Sequence, residues 1–222
     1  WGANAVNGVI NIITKSSAQT QGGMLSAGGG SFERGFGSFR YGTKLNENTT
    51  ARAYVKGFDR SSDQFMPEFS GYDLGNISKY NNWNKQQGGF KLDSKLNDRD
   101  ELTIQGDVYS STANLSAVIP DITTLSNNTQ TNATNTMGGN LLSRFQRTLS
   151  ASSEVKLQLY YDGYSRDMGI FSDSRHTLDL DLQHRFMWLH NHEIIWGANY
   201  RYGHDHIMGY RGPLSYDIDP MS

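Results

Sequence analysis

The chain has no cysteine, so it can form neither a disulfide framework nor a thiolate metal site. No segment approaches the roughly 18 consecutive apolar residues of a membrane-spanning helix. There is no basic excess either, since 20 Lys and Arg stand against 22 Asp and Glu, which argues against a nucleic-acid partner. The chain opens on Trp1 without a charged-then-apolar leader. No catalytic set is evident. Gly28-Gly29-Gly30 has no helix signal and no Lys-Ser/Thr pair behind it, so it reads as a tight hairpin and not as a phosphate cradle.

What the chain does have is glycine, 24 of 222 residues, and 12% aromatics. Its mean hydropathy of -0.61 is polar. That average still allows a transmembrane barrel, whose strands are apolar on one face only.

The dominant pattern is alternation. Leu178, Leu180 and Leu182 interleave with Asp179, Asp181 and Gln183. Val155, Leu157 and Leu159 interleave with Lys156 and Gln158, and Phe90, Leu92 and Leu96 with Lys91, Asp93 and Lys95. Leu102, Ile104 and Val108 do the same with Thr103, Gln105 and Asp107. A period of two puts each set on one face of a strand. Nine strands are expected, at about 19–29, 34–45, 49–61, 85–96, 101–111, 137–149, 154–166, 175–186 and 193–205. The connections between them alternate short and long. Of the long ones, 112–136 is rich in Ser, Thr and Asn and is expected to be a mobile surface loop. The segment 62–84 instead carries Phe65, Met66, Phe69, Tyr72, Tyr80 and Trp83, and rings in such number on a loop imply that something covers them.

The first fifteen residues read WGANAVNGVINIITK, a small polar stretch, then Gly8, then the β-branched run from Val9 to Thr14. Through Gly2, Asn4, Ala5, Gly8, Val9, Ile10, Asn11, Ile12, Ile13, Thr14 and Lys15 this string resembles the end of the plug domain in TonB-dependent outer-membrane receptors. The resemblance implies an all-β fold: residues 1–15 ending the plug, and 16–222 forming an antiparallel transmembrane β-barrel segment, about nine strands of some 22. The chain is then expected to be an internal fragment. The implied function is active import across the bacterial outer membrane, coupled to the TonB complex through plug residues outside this chain. The expected cargo is a ferric siderophore, cobalamin or a glycan. Neither enzymatic activity nor a cofactor is implied.

Within that reading Phe69, Tyr72, Tyr80 and Trp83 are the candidate ligand-binding residues on an outer loop, and Trp188, Trp196, Tyr200 and Tyr202 are candidates for an aromatic girdle. Asp179 and Asp181, with Lys91, Asp93, Lys95 and Lys156, would line a hydrated interior. His190 and His192, and His204 with Asp205 and His206, have chelating spacing but lack an evident further ligand, so no metal site is assigned. Two alternatives stay open: another outer-membrane barrel such as a porin, and a soluble β-sandwich adhesin or glycan-binding module.

Overall fold

A computed structural model describes residues 14–62, 81–121, 126–169, 171–189, 191–209 and 217–218, with backbone alone for 115–121, 126–131 and 217–218. The plug-like string up to Ile13, and Phe69, Tyr72 and Tyr80, therefore lie outside the described residues.

The described chain forms one antiparallel sheet in strict sequence order, preceded by a 3₁₀ turn at Ala18–Thr20. Its strands are β1 (Gly22–Gly28), β2 (Glu33–Asn46), β3 (Thr49–Arg60), β4 (Trp83–Lys95) and β5 (Asp100–Asp121). They continue with β6 (Ser126–Ser150), β7 (Ser153–Asp167), β8 (Ser172–Trp188), β9 (His192–Met208) and the two-residue β10 (Asp217–Ile218). All nine expected strands are present. The sheet is not closed on itself: β1 and β10 are its two edges.

The surface loop expected at 112–136 is not found. β5 and β6 continue through it as one ladder, from Asp100↔Arg147 to Asp121↔Ser126. Local side-chain bonding by Ser, Thr and Asn competes poorly here, because the ladder satisfies the backbone groups on every rung. The threonines are also β-branched and suit an extended backbone. The connection expected at 167–174 shortens to 168–171, since Ser172 to Arg175 pair with Asp167 to Tyr164. One end of the sheet thus carries the connections 47–48, 96–99, 151–152 and 189–191. The other carries the connection 61–82 and the tall β5–β6 hairpin.

Residues directly opposite in a ladder share a face, so the registers sort the side chains into two faces. One face runs through Leu25, Phe39, Val55, Gly88, Val108 and Gly139. It continues through Leu157 and Leu159, Leu180 and Leu182, and Tyr200 and Ala198. No Asp, Glu, Lys or Arg of the strands falls on this face between its margins. Those margins carry Asp100 and Arg147 at the short-turn end and Asp59 at the other, each in an ion pair, Arg147–Asp100 at 3.5 Å and Arg34–Asp59 at 3.6 Å. The stretch of this face free of Asp, Glu, Lys and Arg runs from Ser153 to Ser165 on β7 and from Ser172 to Trp188 on β8, with the large apolar side chains concentrated in its middle. The charges lie on the opposite face, where Arg52, Tyr54 and Lys56 of β3 pair with Lys91, Gly89 and Gln87 of β4.

Among the described residues no apolar side chain is buried. A sandwich core between two inner sheet faces is therefore absent from them. The large apolar groups of the band are open to the surroundings: Leu25 is 77% exposed, Val108 68% and Met137 67%. So wide a continuous apolar surface marks a contact with lipid or with another molecule.

Candidate functional site

The polar face carries the arrangements that distinguish this sheet from a bare scaffold. At its short-turn end the chain preceding β1 folds back onto it. Ser16 and Gln19 form a capping box. The Ser16 amide donates to Gln19 Oε1 at 3.2 Å, and the Gln19 amide donates to Ser16 Oγ at 3.3 Å. This opens the 3₁₀ turn and points Ser17 at the sheet. Ser17 is fully buried, and both its amide and its hydroxyl lie 2.7 Å from Asp93 Oδ2. A hydroxyl has one proton, and the carboxylate is the stronger acceptor, so the Thr50 hydroxyl, also 2.7 Å away, is the donor to Ser17 Oγ. Thr103 donates to the other oxygen of Asp93 at 2.8 Å. One carboxylate on β4 thus fastens the incoming chain to β3, β4 and β5.

Two glycines make room for this. The Thr20 carbonyl lies against Gly42, where any Cβ would collide with it. At Gly22 the chain leaves the turn for β1 with φ +79°, a backbone region that L side chains rarely adopt.

At the other end of the same face Trp83 opens β4. Its ring meets Phe58 edge-on at 4.5 Å, and the Arg60 guanidinium lies over both rings, 4.5 Å from Phe58 and 4.8 Å from Trp83. Arg60 also donates from Nε and Nη2 to Glu33 Oε1, at 3.1 and 3.0 Å. This cluster braces the base of the 61–82 connection. Trp83 is the one candidate ligand-binding ring within the described residues, and its ring is engaged inside the protein.

Between the two ends the polar face is knitted across strands. Gln87 donates to the Tyr54 hydroxyl and to Asp107, both at 3.0 Å. Asp179 is buried and accepts from Arg201 at 2.7 Å and from Asn199 at 3.1 Å. Arg166 and Tyr164 both donate to Asp173, at 2.8 and 2.9 Å. Arg175 holds Asp205 through both carboxylate oxygens at 2.6 Å, and Arg185 pairs with Glu193. Asp179 and Asp181 stand opposite the leucine stripe, as expected from the alternation.

The histidine motif separates. His204 and His206 lie on the apolar face, while Asp205 lies on the polar one, engaged by Arg175. Among the described residues no three His, Asp or Glu side chains converge as a metal site. His190 lies outside the description.

All four expected girdle aromatics fall on the apolar face, Trp188 and Trp196 towards its short-turn end and Tyr202 towards the other, but Tyr200 pairs with Leu180 in the middle of the band. At the short-turn end the Trp196 indole donates to His184 Nδ1 at 3.1 Å, and His184 Nε2 lies 3.0 Å from Ser153 Oγ. Since Nδ1 accepts, Nε2 carries the proton and donates to Ser153. At the other end the Tyr161 hydroxyl sits 2.8 Å from His176 Nδ1 and the two rings stack, while Tyr202 on β9 lies in the same row as Tyr161 with Leu178 between them.

Alternation alone did not single out Ser17, Thr50, Thr103, Arg60 or Gln87. For Ser17 a signal was present, the Ser16-to-Gln19 capping pattern. For the others the signal is a cross-strand register, which no single strand displays.

Comparison with protein-family models, with curated proteins and with solved structures finds no match for this chain.

Proposed function

We propose that the chain is the start of the β-barrel of a TonB-dependent outer-membrane receptor, together with the last residues of its plug. One observation carries the reading. All the charge between the margins faces one side, and the chain that precedes the first strand is fastened to that same side through Ser17 and Asp93. A segment leading out of a lumen-filling plug must enter on the hydrated face of the wall, as this one does.

The uncharged band supports the membrane assignment. From Ser153 to Ser165 on β7 and from Ser172 to Trp188 on β8 it is tall enough for the roughly 9–11 residues of a tilted transmembrane strand. Rings at both margins suit the two interfaces. The short-turn end then faces the periplasm, and the β5–β6 hairpin and the 61–82 connection face outward. In this reading the aromatic connection, through Phe69, Tyr72 and Tyr80, captures a ferric siderophore, cobalamin or glycan, and Trp83 braces its base.

The test is cell fractionation of the full-length protein. It is expected in the outer membrane as a heat-modifiable species that needs detergent for extraction, and release of an authentic folded protein into the soluble fraction would overturn the reading. Growth on the scarce cargo that depends on both this protein and TonB then separates an energy-coupled receptor from a passive porin.

A further inference from the structure

The two halves of the polar face hold their cations differently. On β7 to β9 every Lys and Arg of that face stands in an ion pair: Lys156, Arg166, Arg175, Arg185 and Arg201 each hold a carboxylate. On β2 to β4 the same face carries eight cations and only two carboxylates, Glu33 and Asp93. Arg60 holds Glu33, and Asp93 is taken by Ser17 and Thr103. The other cations of these strands form no ion pair with a described residue.

They form a ladder. Arg60 stands at the foot of the aromatic connection, and Lys85 is on the next rung. Lys56 and Arg40 follow on the two rungs after it. Then come Arg52 beside Lys91, Lys44, and Lys95 at the short-turn end. Rungs of one face lie two residues apart, about 7 Å. Rings, not carboxylates, steady several of these groups. Lys85 Nζ lies 4.3 Å from the centre of the Tyr109 ring and Lys56 Nζ 5.8 Å from that of Tyr54, as Arg60 lies over Phe58 and Trp83. A ring attracts a cation without cancelling its charge. Arg40 Nε is shut off from solvent and meets no acceptor among the described residues.

We infer that this strip is the track along which a compact, negatively charged metal chelate descends the lumen. The inference rests on the receptor reading above and narrows its cargo, because cobalamin and a neutral glycan gain nothing from such a wall. A strip of one sign focuses its field and concentrates anions. A compact anion that spans two rungs passes to the next without losing contact with a cation. The segment leading into β1 does not answer this charge, since Trp1 to Lys15 holds no Asp or Glu and Lys15 adds a cation. An acidic glycan fits less well than a chelate, because the rings on which a sugar would stack already carry Lys56, Arg60 and Lys85.

The experiment places a nitroxide label at Ser38→Cys, opposite Lys56, at Thr177→Cys, on the polar face of β8, or at Val55→Cys, on the apolar face. Each is carried by the full-length receptor in phosphatidylcholine vesicles, with any cysteine elsewhere replaced. Relaxation of the label is read with two soluble chelates, the trianion trisoxalatochromate(III) and the neutral nickel(II) ethylenediaminediacetate. Relative to the neutral chelate, the trianion is expected to relax the label at Ser38 about fivefold more than the label at Thr177, and the excess shrinks in about 1 M salt, where the screening length falls to about 3 Å. Arg40→Gln/Arg52→Gln should remove most of the excess. Oligogalacturonate at matched ionic strength should leave it in place; if the glycan abolishes it, the occupant is an acidic glycan and the proposal is overturned. Equal ratios at Ser38 and Thr177, or a label at Ser38 that neither chelate reaches, overturn the track and leave the receptor reading standing. Chelates that reach Val55 as readily as Ser38 overturn the membrane reading as well. The comparison of Ser38 with Thr177 decides the matter even if the double variant fails to fold.

Discussion

Ser17 gives both its amide and its hydroxyl hydrogen to one oxygen of Asp93, each at 2.7 Å, although 76 residues separate the two in sequence. No other described side chain is so completely enclosed. This contact decides on which side of the sheet the incoming chain lies, and it gives the first prediction. Asp93→Ala leaves the Ser17 amide and the Thr103 hydroxyl without their acceptor. Hydrogen bonds to charged groups are worth about 1.5–3 kcal/mol each, so a loss of about 2–3 kcal/mol is expected after water replaces part of the contact. Limited proteolysis of the detergent-solubilised full-length protein should then cut between Thr14 and Gln21. Asp93→Asn, which keeps one acceptor oxygen, should be cut more slowly. Protection equal to wild type in Asp93→Ala would mean that the fastening lies elsewhere.

The two faces of β8 differ sharply in what they tolerate. Leu180 sits mid-band between Leu159 and Tyr200, and Asp181 sits on the polar face between Gln158 and Asn199. Arg at Leu180 is expected to cost about 2–4 kcal/mol if placed at the bilayer midplane. Asp181→Arg should cost well under half as much, because its site is already hydrated and polar. Refolding titrations of the full-length protein into lipid vesicles measure both, and equal costs would refute the assignment of faces.

Because these 222 residues hold no cysteine, single cysteines placed in them report topology once any elsewhere in the full-length protein are replaced. Thr129 lies high on the β5–β6 hairpin, and Ala151 lies in the short turn between β6 and β7. A membrane-impermeant maleimide applied to whole cells should label Thr129→Cys and leave Ala151→Cys untouched until the outer membrane is permeabilised. The reverse pattern would invert the orientation proposed above.

Arg60 joins three groups, the rings of Phe58 and Trp83 and the carboxylate of Glu33. Removing it in Arg60→Ala should lower stability by about 1–2 kcal/mol, combining a partly exposed cation–π contact with a half-exposed ion pair. The temperature at which the folded band shifts on a gel should fall accordingly. Arg60→Lys keeps the charge but loses the planar stack and the twin donation to Glu33, so it should recover only part of the loss.

The strand pattern was legible in the sequence because its cause is local. Leu178, Asp179 and Leu180 declare their two faces without reference to any other strand. The fastening of Ser17 was not legible in the same way, since it joins β3, β4 and β5 through a register that emerges only when the strands pair. The stretch 112–136 misled for a related reason. Its Ser, Thr and Asn content favours loops when read alone, and only the facing strand, which offers a partner on each rung, turns the balance toward a ladder. Trp83 belonged to an aromatic-rich connection by sequence, and the structure places it at the foot of that connection, against Arg60 and Phe58. The histidines at 204 and 206 kept their spacing but lost Asp205, which a period of two sends to the opposite side.

The strict order of the strands has a kinetic meaning. Every rung from β1 to β9 joins neighbours in sequence, so each hairpin can form as soon as its second arm is available, with little loop entropy to overcome. Assembly can therefore advance by one hairpin at a time from either end. The exception is the outer edge of β1, a seven-residue strand with no partner on that side among the described residues. In the barrel proposed above, the strand that meets it comes from the far end of the sequence, so the seam at β1 is the slow, late step, and the place where a stalled molecule would recruit a neighbour's edge instead.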